Sequence, residues 1–126
     1  MNKEFFFTAS EIEKCEDKLI NAFGLAKRAG KCVLGTEMCV ESIRNKKAKL
    51  VIAASDLSDN TVKRLCDSCS YHGVELIFAK ADKIELGKRL GKNNGTSSAA
   101  ILDEGFVNIC RKIYNEVHTL NSEVQQ

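Results

Sequence analysis

The stretch Leu34-Gly35-Thr36-Glu37-Met38 separates a basic run from an apolar run, and the elements on either side of it decide the fold. A glycine followed by a small hydroxyl residue predicts that a helix starts here, with Thr36 as its cap. The first turn of a helix leaves backbone N–H groups without partners and carries the positive end of the helix dipole. Such an end binds phosphate readily, so this stretch is a candidate anion site.

Positive charge is concentrated around this stretch rather than spread over the chain, whose net charge is only +2. In the segment 27–49 the only acidic residues are Glu37 and Glu41. The cations of the same segment are Lys27, Arg28, Lys31, Arg44, Lys46, Lys47 and Lys49. Acidic residues gather instead at 11–17 and 56–67. This asymmetry predicts a positive face. We expect four of the cations to flank the helix start: Lys27, Arg28, Lys31 and Arg44.

Helical and strand patterns alternate through the chain. A long amphipathic helix is predicted over 10–29, and strands are predicted at 32–34, 48–54, 74–79 and 97–102. The other helices follow capping residues at Thr36, Ser58 or Asp59, Asp82 and Asp103. This alternation predicts an α/β fold, a three-layer α/β/α sandwich with a four-stranded sheet and about five helices. We interpret residues 1–126 as a single domain with a loose N-terminal arm at 1–9 and a C-terminal helix extension and tail at 111–126.

Composition and motifs favour a cytoplasmic protein that is not an enzyme. Apolar residues make up 44% and charged residues 29% of the chain, which is typical of a globular domain. No apolar run approaches the ~20 residues that span a bilayer, so we expect no membrane partner. Phosphate-cradling loops, dinucleotide fingerprints and nucleophile elbows are absent, and the two histidines lack partners at metal-ligand spacing. We therefore expect no catalytic residue, cofactor, metal or small-molecule substrate.

The motif Cys66-Asp67-Ser68-Cys69 has two interpretations. A Cys-x-x-Cys pair can be half of a zinc site or a redox pair, which would make this a thiol-dependent protein. No second pair of cysteines or histidines completes a tetrahedral site, and the motif falls inside a predicted helix on its apolar face. Most of the six cysteines occupy apolar positions of predicted elements. This pattern favours reduced, buried, structural thiols.

Several segments resemble one known family. They are Gly24-Leu-Ala-Lys-Arg-Ala-Gly-Lys31, Gly35-Thr-Glu37, Lys49-Leu-Val-Ile-Ala-Ala-Ser-Asp56, Leu86-Gly-Lys88, Leu90-Gly-Lys92 and Asp103-Glu-Gly-Phe106. Together they resemble the kink-turn RNA-binding ribosomal-protein family, and within it the bacterial YlxQ-like branch. The resemblance extends in one register over about residues 17–110, which makes it specific although each segment is short.

The resemblance implies an α/β/α sandwich that binds a sharply bent RNA containing tandem sheared G·A pairs. It places the glycine and the first turn of the second helix against the RNA, here Gly35, Thr36, Glu37, Met38 and Glu41. It also implies that the loop before the last strand, with Lys92, Asn93 and Asn94, grips an extruded base. Phosphate contacts are then expected from Lys27, Arg28, Lys31 and Lys92. The implied partners are ribosomal or other kink-turn RNA, and the ribosome or translation factors.

Two functions of different classes stay open because of three side chains at the helix start. Glu37, Met38 and Glu41 stand where well-studied members of the family carry polar or basic residues. Glu37 can accept a hydrogen bond from a base amine, whereas Met38 cannot hydrogen-bond comparably and Glu41 repels phosphate. The chain is then either an RNA-binding protein linked to the ribosome or translation, or a protein-interaction module of the same fold that has lost specific RNA recognition.

Overall fold

The computed structural model describes residues 6–125, and the side chains of residues 6–119. Five helices and four strands follow one another within this range. They are α1 Ala9–Arg28, β1 Cys32–Leu34, α2 Thr36–Arg44, β2 Leu50–Ala53, α3 Asp59–His72, β3 Glu75–Phe78, α4 Lys83–Arg89, β4 Ser98–Ile101 and α5 Glu104–Gln125. The predicted α/β fold with a four-stranded sheet is confirmed. Residues 1–5 and Gln126, parts of the expected arm and tail, lie outside the described residues.

The four strands form one mixed sheet in the order β1-β4-β2-β3. β4 runs antiparallel to both of its neighbours, and β2 and β3 are parallel. The sheet therefore has two different ends. At the Gly35 end, β1, β2 and β3 finish and β4 begins, so that Gly35, Ala54, Ala79 and Ser97 lie next to one another. At the Lys31 end, β4 finishes between Lys31 and Lys49, which precede β1 and β2.

Each face of the sheet is covered by helices because alternate residues of a strand point to opposite faces. On β2, Leu50 and Ile52 pack in one core with α1, α4 and α5. Val51 and Ala53 pack in a second core with α2 and α3. This arrangement is the three-layer sandwich that the sequence predicts.

Residues 6–8, at the end of the expected loose arm, pack against the domain. The Phe7 side chain is buried, and its backbone N–H donates to Glu75 Oε2 at 2.5 Å. The N–H of Thr8 donates to the Tyr114 hydroxyl at 3.2 Å, and the rings of Phe7 and Tyr114 lie 5.1 Å apart. These contacts hold the described part of the segment against α5 and β3.

The cysteine side chains are free thiols, and all but Cys66 are buried. Burial raises the pKa of Cys69 to about 12, which keeps that thiol neutral at physiological pH. This agrees with the structural interpretation of the Cys66–Cys69 motif. Among the described residues, no three His, Cys, Asp or Glu side chains are grouped to hold a metal ion. Within the same residues, no helix has the length and apolar character needed to cross a membrane.

Candidate nucleic-acid interface

Gly35 forms the turn from β1 into α2. Its φ of 95° and ψ of 156° belong to a region that glycine occupies without strain and other residues avoid. Its N–H donates to the Ser98 carbonyl at 2.8 Å, and its carbonyl accepts from the N–H of Cys39 at 2.9 Å. Gly35 is therefore the N-terminal cap, and the prediction that Thr36 caps the helix is wrong because Thr36 is already its first residue. The N–H of Cys39 is the first to donate to a carbonyl of the helix. The N–H groups of the three residues before it therefore have no hydrogen-bond partner inside the helix.

The loop before β4 is attached to α4 by backbone hydrogen bonds on both sides. The N–H of Lys92 donates to the Gly87 carbonyl at 2.7 Å, and the N–H of Thr96 donates to the Lys83 carbonyl at 3.0 Å. A turn closes between them because the N–H of Gly95 donates to the Lys92 carbonyl at 3.0 Å. The side chains at the tip of this turn are exposed; they are Lys92, Asn93 and Asn94. The loop is thus a fixed projection with polar side chains.

Thr36 and Ser97 join the helix start to this loop. Their hydroxyl oxygens lie 2.6 Å apart, within hydrogen-bond distance. Ser97 follows the loop directly, and the carbonyl of the next residue, Ser98, accepts the hydrogen bond from the N–H of Gly35. The first turn of α2 and the loop 92–96 therefore lie on one surface at the Gly35 end of the sheet. This is the pair of segments that the family resemblance assigns to RNA.

Glu37 is paired with Arg64, a residue of α3 that sequence reasoning missed. Arg64 Nη1 donates to Glu37 Oε1 at 2.5 Å and Nη2 to Oε2 at 3.3 Å. The guanidinium lowers the pKa of the Glu37 carboxyl through this hydrogen-bonded ion pair, with a smaller contribution from Arg44. The negative charge of Glu37 at the helix start is therefore compensated by Arg64. No spacing rule connects residues 27 positions apart on two helices, so only the packing of α2 on α3 reveals the pair.

Met38 and Glu41 complete the outer face of α2 beside this pair. The Met38 residue is 48% exposed and presents an apolar side chain to solvent. Glu41 lies one turn after Glu37 and is also exposed. The Gly35 end thus offers backbone donors, amides, a compensated carboxylate and an apolar side chain on one surface.

The predicted cations divide between the two ends of the sheet. The Lys31 carbonyl accepts from the N–H of Leu102 at 2.8 Å, so Lys31 lies at the opposite end of β1 from Gly35, about 13 Å away along the strand. Arg44 lies in the last turn of α2, about 12 Å along the helix from Thr36. These two cations do not flank the helix start as expected. Lys27 and Arg28, in the last turn of α1, adjoin Lys31 through the turn that follows.

Comparison with known proteins identifies the family. Residues 17–111 match the model of the Ribosomal protein L7Ae/L30e/S12e/Gadd45 family. The chain belongs to this family. The match includes α2 and the loop 92–96, and it confirms the resemblance found in the sequence. Since this is a family of ribosomal and RNA-binding proteins, the prediction that the chain is not an enzyme is also confirmed.

Individual relatives of the chain are named as RNA-binding or ribosomal proteins. The chain is 40% identical over 89 residues to the RNA-binding protein YlxQ of Enterococcus faecium, covering 71% of this chain and 84% of that protein. It is 30% identical over 106 residues to the large ribosomal subunit protein eL8 of Nitrosopumilus maritimus, covering 83% of this chain and 82% of that protein. The solved structure of a 15.5 kD RNA-binding protein from Giardia lamblia has a TM-score of 0.69, with 24% identity and coverage of 86% of this chain and 91% of that chain. The last comparison supports the fold.

Proposed function

We propose that this chain is an RNA-binding protein that recognises structured, kink-turn-like RNA at the Gly35 end of its sheet. The observation that carries the proposal is the contact between Thr36 and Ser97, because it makes the helix start and the loop 92–96 two walls of one surface. The relative from Enterococcus faecium is named an RNA-binding protein, and that from Nitrosopumilus maritimus a ribosomal one. A cytoplasmic role at the ribosome or in translation agrees with these names.

The two walls offer different chemistry to an RNA. The N–H groups of the first turn of α2 and the ammonium group of Lys92 are donors for phosphate oxygens. Asn93 and Asn94 carry amides that both donate to and accept from the edge of an unstacked base. Met38 adds an apolar surface on which a base or sugar can lie. The positive charge of Arg64 balances the negative charge of Glu37. The Glu37 carboxylate can therefore accept a hydrogen bond from a base amine while repelling the RNA phosphates less.

The experiment compares two RNAs of the same length. One forms a kink-turn with tandem sheared G·A pairs, and the other has Watson–Crick pairs at those positions. Fluorescence anisotropy should show a preference for the kink-turn of about tenfold or more. Replacing both Asn93 and Asn94 by Ala should reduce this preference, whereas Lys112→Gln, an exposed change on α5, should leave it unchanged.

Two outcomes contradict the proposal. Equal affinity for both RNAs would leave only generic RNA binding and remove the kink-turn specificity. No binding to either RNA would favour the protein-interaction module, for which exposed Met38 and Glu41 provide a surface. In that case a pull-down from lysate should recover protein partners that resist nuclease treatment.

A further inference from the structure

The Lys31 end carries cations without an ion pair among the described residues; they are Lys31, Arg44, Lys46, Lys47 and Lys49. The N–H of Lys49 donates to the Ile101 carbonyl at 2.7 Å, and the Lys31 carbonyl accepts from Leu102 at 2.8 Å. Lys31 and Lys49 therefore lie on either side of β4, about 10 Å apart. The turn after α2 adds Lys46 and Lys47 beside Lys49. A cluster of cations on a fixed surface attracts polyanions.

A cavity of about 300 Å³ opens beside two of these cations. Lys46, Lys49 and His72 line it, and Ile43, Ala48 and Val74 form its apolar part. The cavity lies where the C-terminal ends of α2 and α3 meet, so it is separate from the Gly35 surface at the start of α2. The ammonium groups of Lys46 and Lys49 are donors that suit a phosphate group.

Lys46 adopts a strained backbone conformation beside this cavity. Its φ of 63° is the only positive value at a non-glycine position among the described residues. The N–H groups of Lys46 and Lys47 donate to the carbonyls of Ile43 and Ser42, a helix ending that normally uses glycine. Gly73 does so at the end of the neighbouring helix α3. A lysine at such a position costs stability, so its side chain is a candidate for a functional role.

Tyr71 adds an aromatic ring next to the cavity. Its side chain is 86% exposed, and its ring centroid lies 4.9 Å from that of His72, which lines the cavity. The rest of the ring faces solvent, and its apolar faces are available for stacking. An exposed ring beside lysines is the combination that binds single-stranded nucleic acid, because bases stack on the ring while phosphates contact the cations.

We propose that the Lys31 end binds a second, single-stranded segment of RNA, with phosphates against Lys46 and Lys49 and a base stacked on Tyr71. This inference rests on the proposed RNA-binding function and adds a second contact at the opposite end of the sheet. The segment would flank the structured RNA held at the Gly35 end. The exposed ring favours RNA over an acidic protein segment, which would need the lysines alone.

The test uses a blunt kink-turn RNA and the same RNA with a single-stranded extension of about ten nucleotides, a length within the range of single-strand binding sites. The extended RNA should bind more tightly than the blunt one. Tyr71→Ala should weaken binding of the extended RNA about fivefold or more, because stacking is lost. Tyr71→Phe keeps the ring and should bind like the original chain. Neither Tyr71 variant should change the affinity for the blunt RNA.

Lys46→Gly separates the role of the charge from any effect on folding. It removes the cation and relieves the backbone strain, so thermal unfolding should shift to higher temperature while affinity for the extended RNA falls. The slope of log affinity against log salt should become shallower by about 0.7, as for one lost phosphate contact to a single strand. Lys112→Gln removes a cation from α5 and should change neither the slope nor the affinity.

Three results would overturn the inference. The first is equal affinity for blunt and extended RNA, which would leave the proposed function intact. The second is a Tyr71→Ala variant that binds the extended RNA like the original chain. The third is a polyglutamate peptide that competes with the extension as strongly as the isolated single strand does, which would assign the surface to an acidic protein. If the blunt RNA fails to bind but the isolated strand binds through Tyr71, the kink-turn function fails while single-strand binding at the Lys31 end stands.

Discussion

The two ends of the sheet differ in how their polar groups are held. At the Gly35 end, backbone bonds fix the loop to α4, hydroxyls join the loop to α2, and Arg64 compensates Glu37. At the Lys31 end, the described lysines have no ion pair, and two of them, Lys46 and Lys49, line a cavity. The first surface is suited to recognising shape, and the second to attracting phosphate. Residues that are close in sequence thus serve two surfaces, because β1 carries the chain from one end to the other.

Gly87→Ala should have the largest effect, and it should act on the Gly35 end alone. An added Cβ would lie 2.5 Å from the Cα of Gly95, so the loop 92–96 must move. Overpacking of this kind costs about 1–3 kcal/mol in the free energy of unfolding. Urea denaturation should show that loss, and kink-turn affinity should fall while affinity for an isolated single strand is retained.

Gly105→Ala is the matched control for this change. Its added Cβ meets only the side-chain oxygen Oδ1 of Asp103, at 3.0 Å, an atom that also accepts from the N–H of Gly105 at 2.7 Å. The change therefore disturbs at most this cap at the start of α5 and leaves the loop 92–96 in place, so kink-turn affinity should be unchanged. Equal losses of kink-turn and single-strand binding in Gly87→Ala would mean that the two ends do not act separately.

Arg64→Ala tests whether charge compensation matters at the Gly35 end. The change leaves the Glu37 carboxylate unpaired beside the proposed RNA surface, and kink-turn affinity should fall about fivefold through repulsion and the loss of a cation. Glu37→Gln in the same chain should restore most of the loss, since it removes the negative charge. Single-strand binding at the Lys31 end should stay constant in both variants. A double variant as weak as Arg64→Ala would show instead that the guanidinium contacts RNA directly.

The order of elements and the composition of the core follow from the sequence. Continuous apolar runs such as Leu50–Ala53 and caps such as Asp82 predict local structure, because the interactions that decide it lie within a few residues. The helix start at Gly35 and the loop at Lys92–Thr96 are likewise visible as local signals. Their proximity follows from the sheet order, in which β4 lies beside β1.

The distribution of charge could not be predicted in the same way. The sequence groups Lys31 and Arg44 with Gly35, yet each lies at the far end of a strand or helix from it. The partner of Glu37 lies on another helix, and the Lys46 cavity needs the end of α3 against the end of α2. These relations are long-range, so only the three-dimensional packing reveals which charges share a surface.

At the Lys31 end, Lys46→Gly should increase the stability of the protein. A left-handed conformation costs a non-glycine residue about 1 kcal/mol, which glycine avoids. The free energy of unfolding should rise by about that amount in urea denaturation, with kink-turn affinity unchanged. Lys47→Gly, at the next position, has no positive φ to relieve and should not stabilise the protein. A drop in stability for Lys46→Gly would show that the lysine side chain makes stabilising contacts.

The contact between Thr36 and Ser97 should give the smallest effect and the most specific one. Its hydroxyls lie 2.6 Å apart, and a hydrogen bond of this kind contributes about 0.5–1.5 kcal/mol. Thr36→Val, Ser97→Ala and the double variant form a cycle whose coupling energy isolates this bond from other effects of each change. The coupling should appear both in unfolding and in kink-turn affinity, because the bond sets the distance between the two walls. Coupling in unfolding without coupling in RNA affinity would mean that the contact stabilises the fold without shaping the RNA surface.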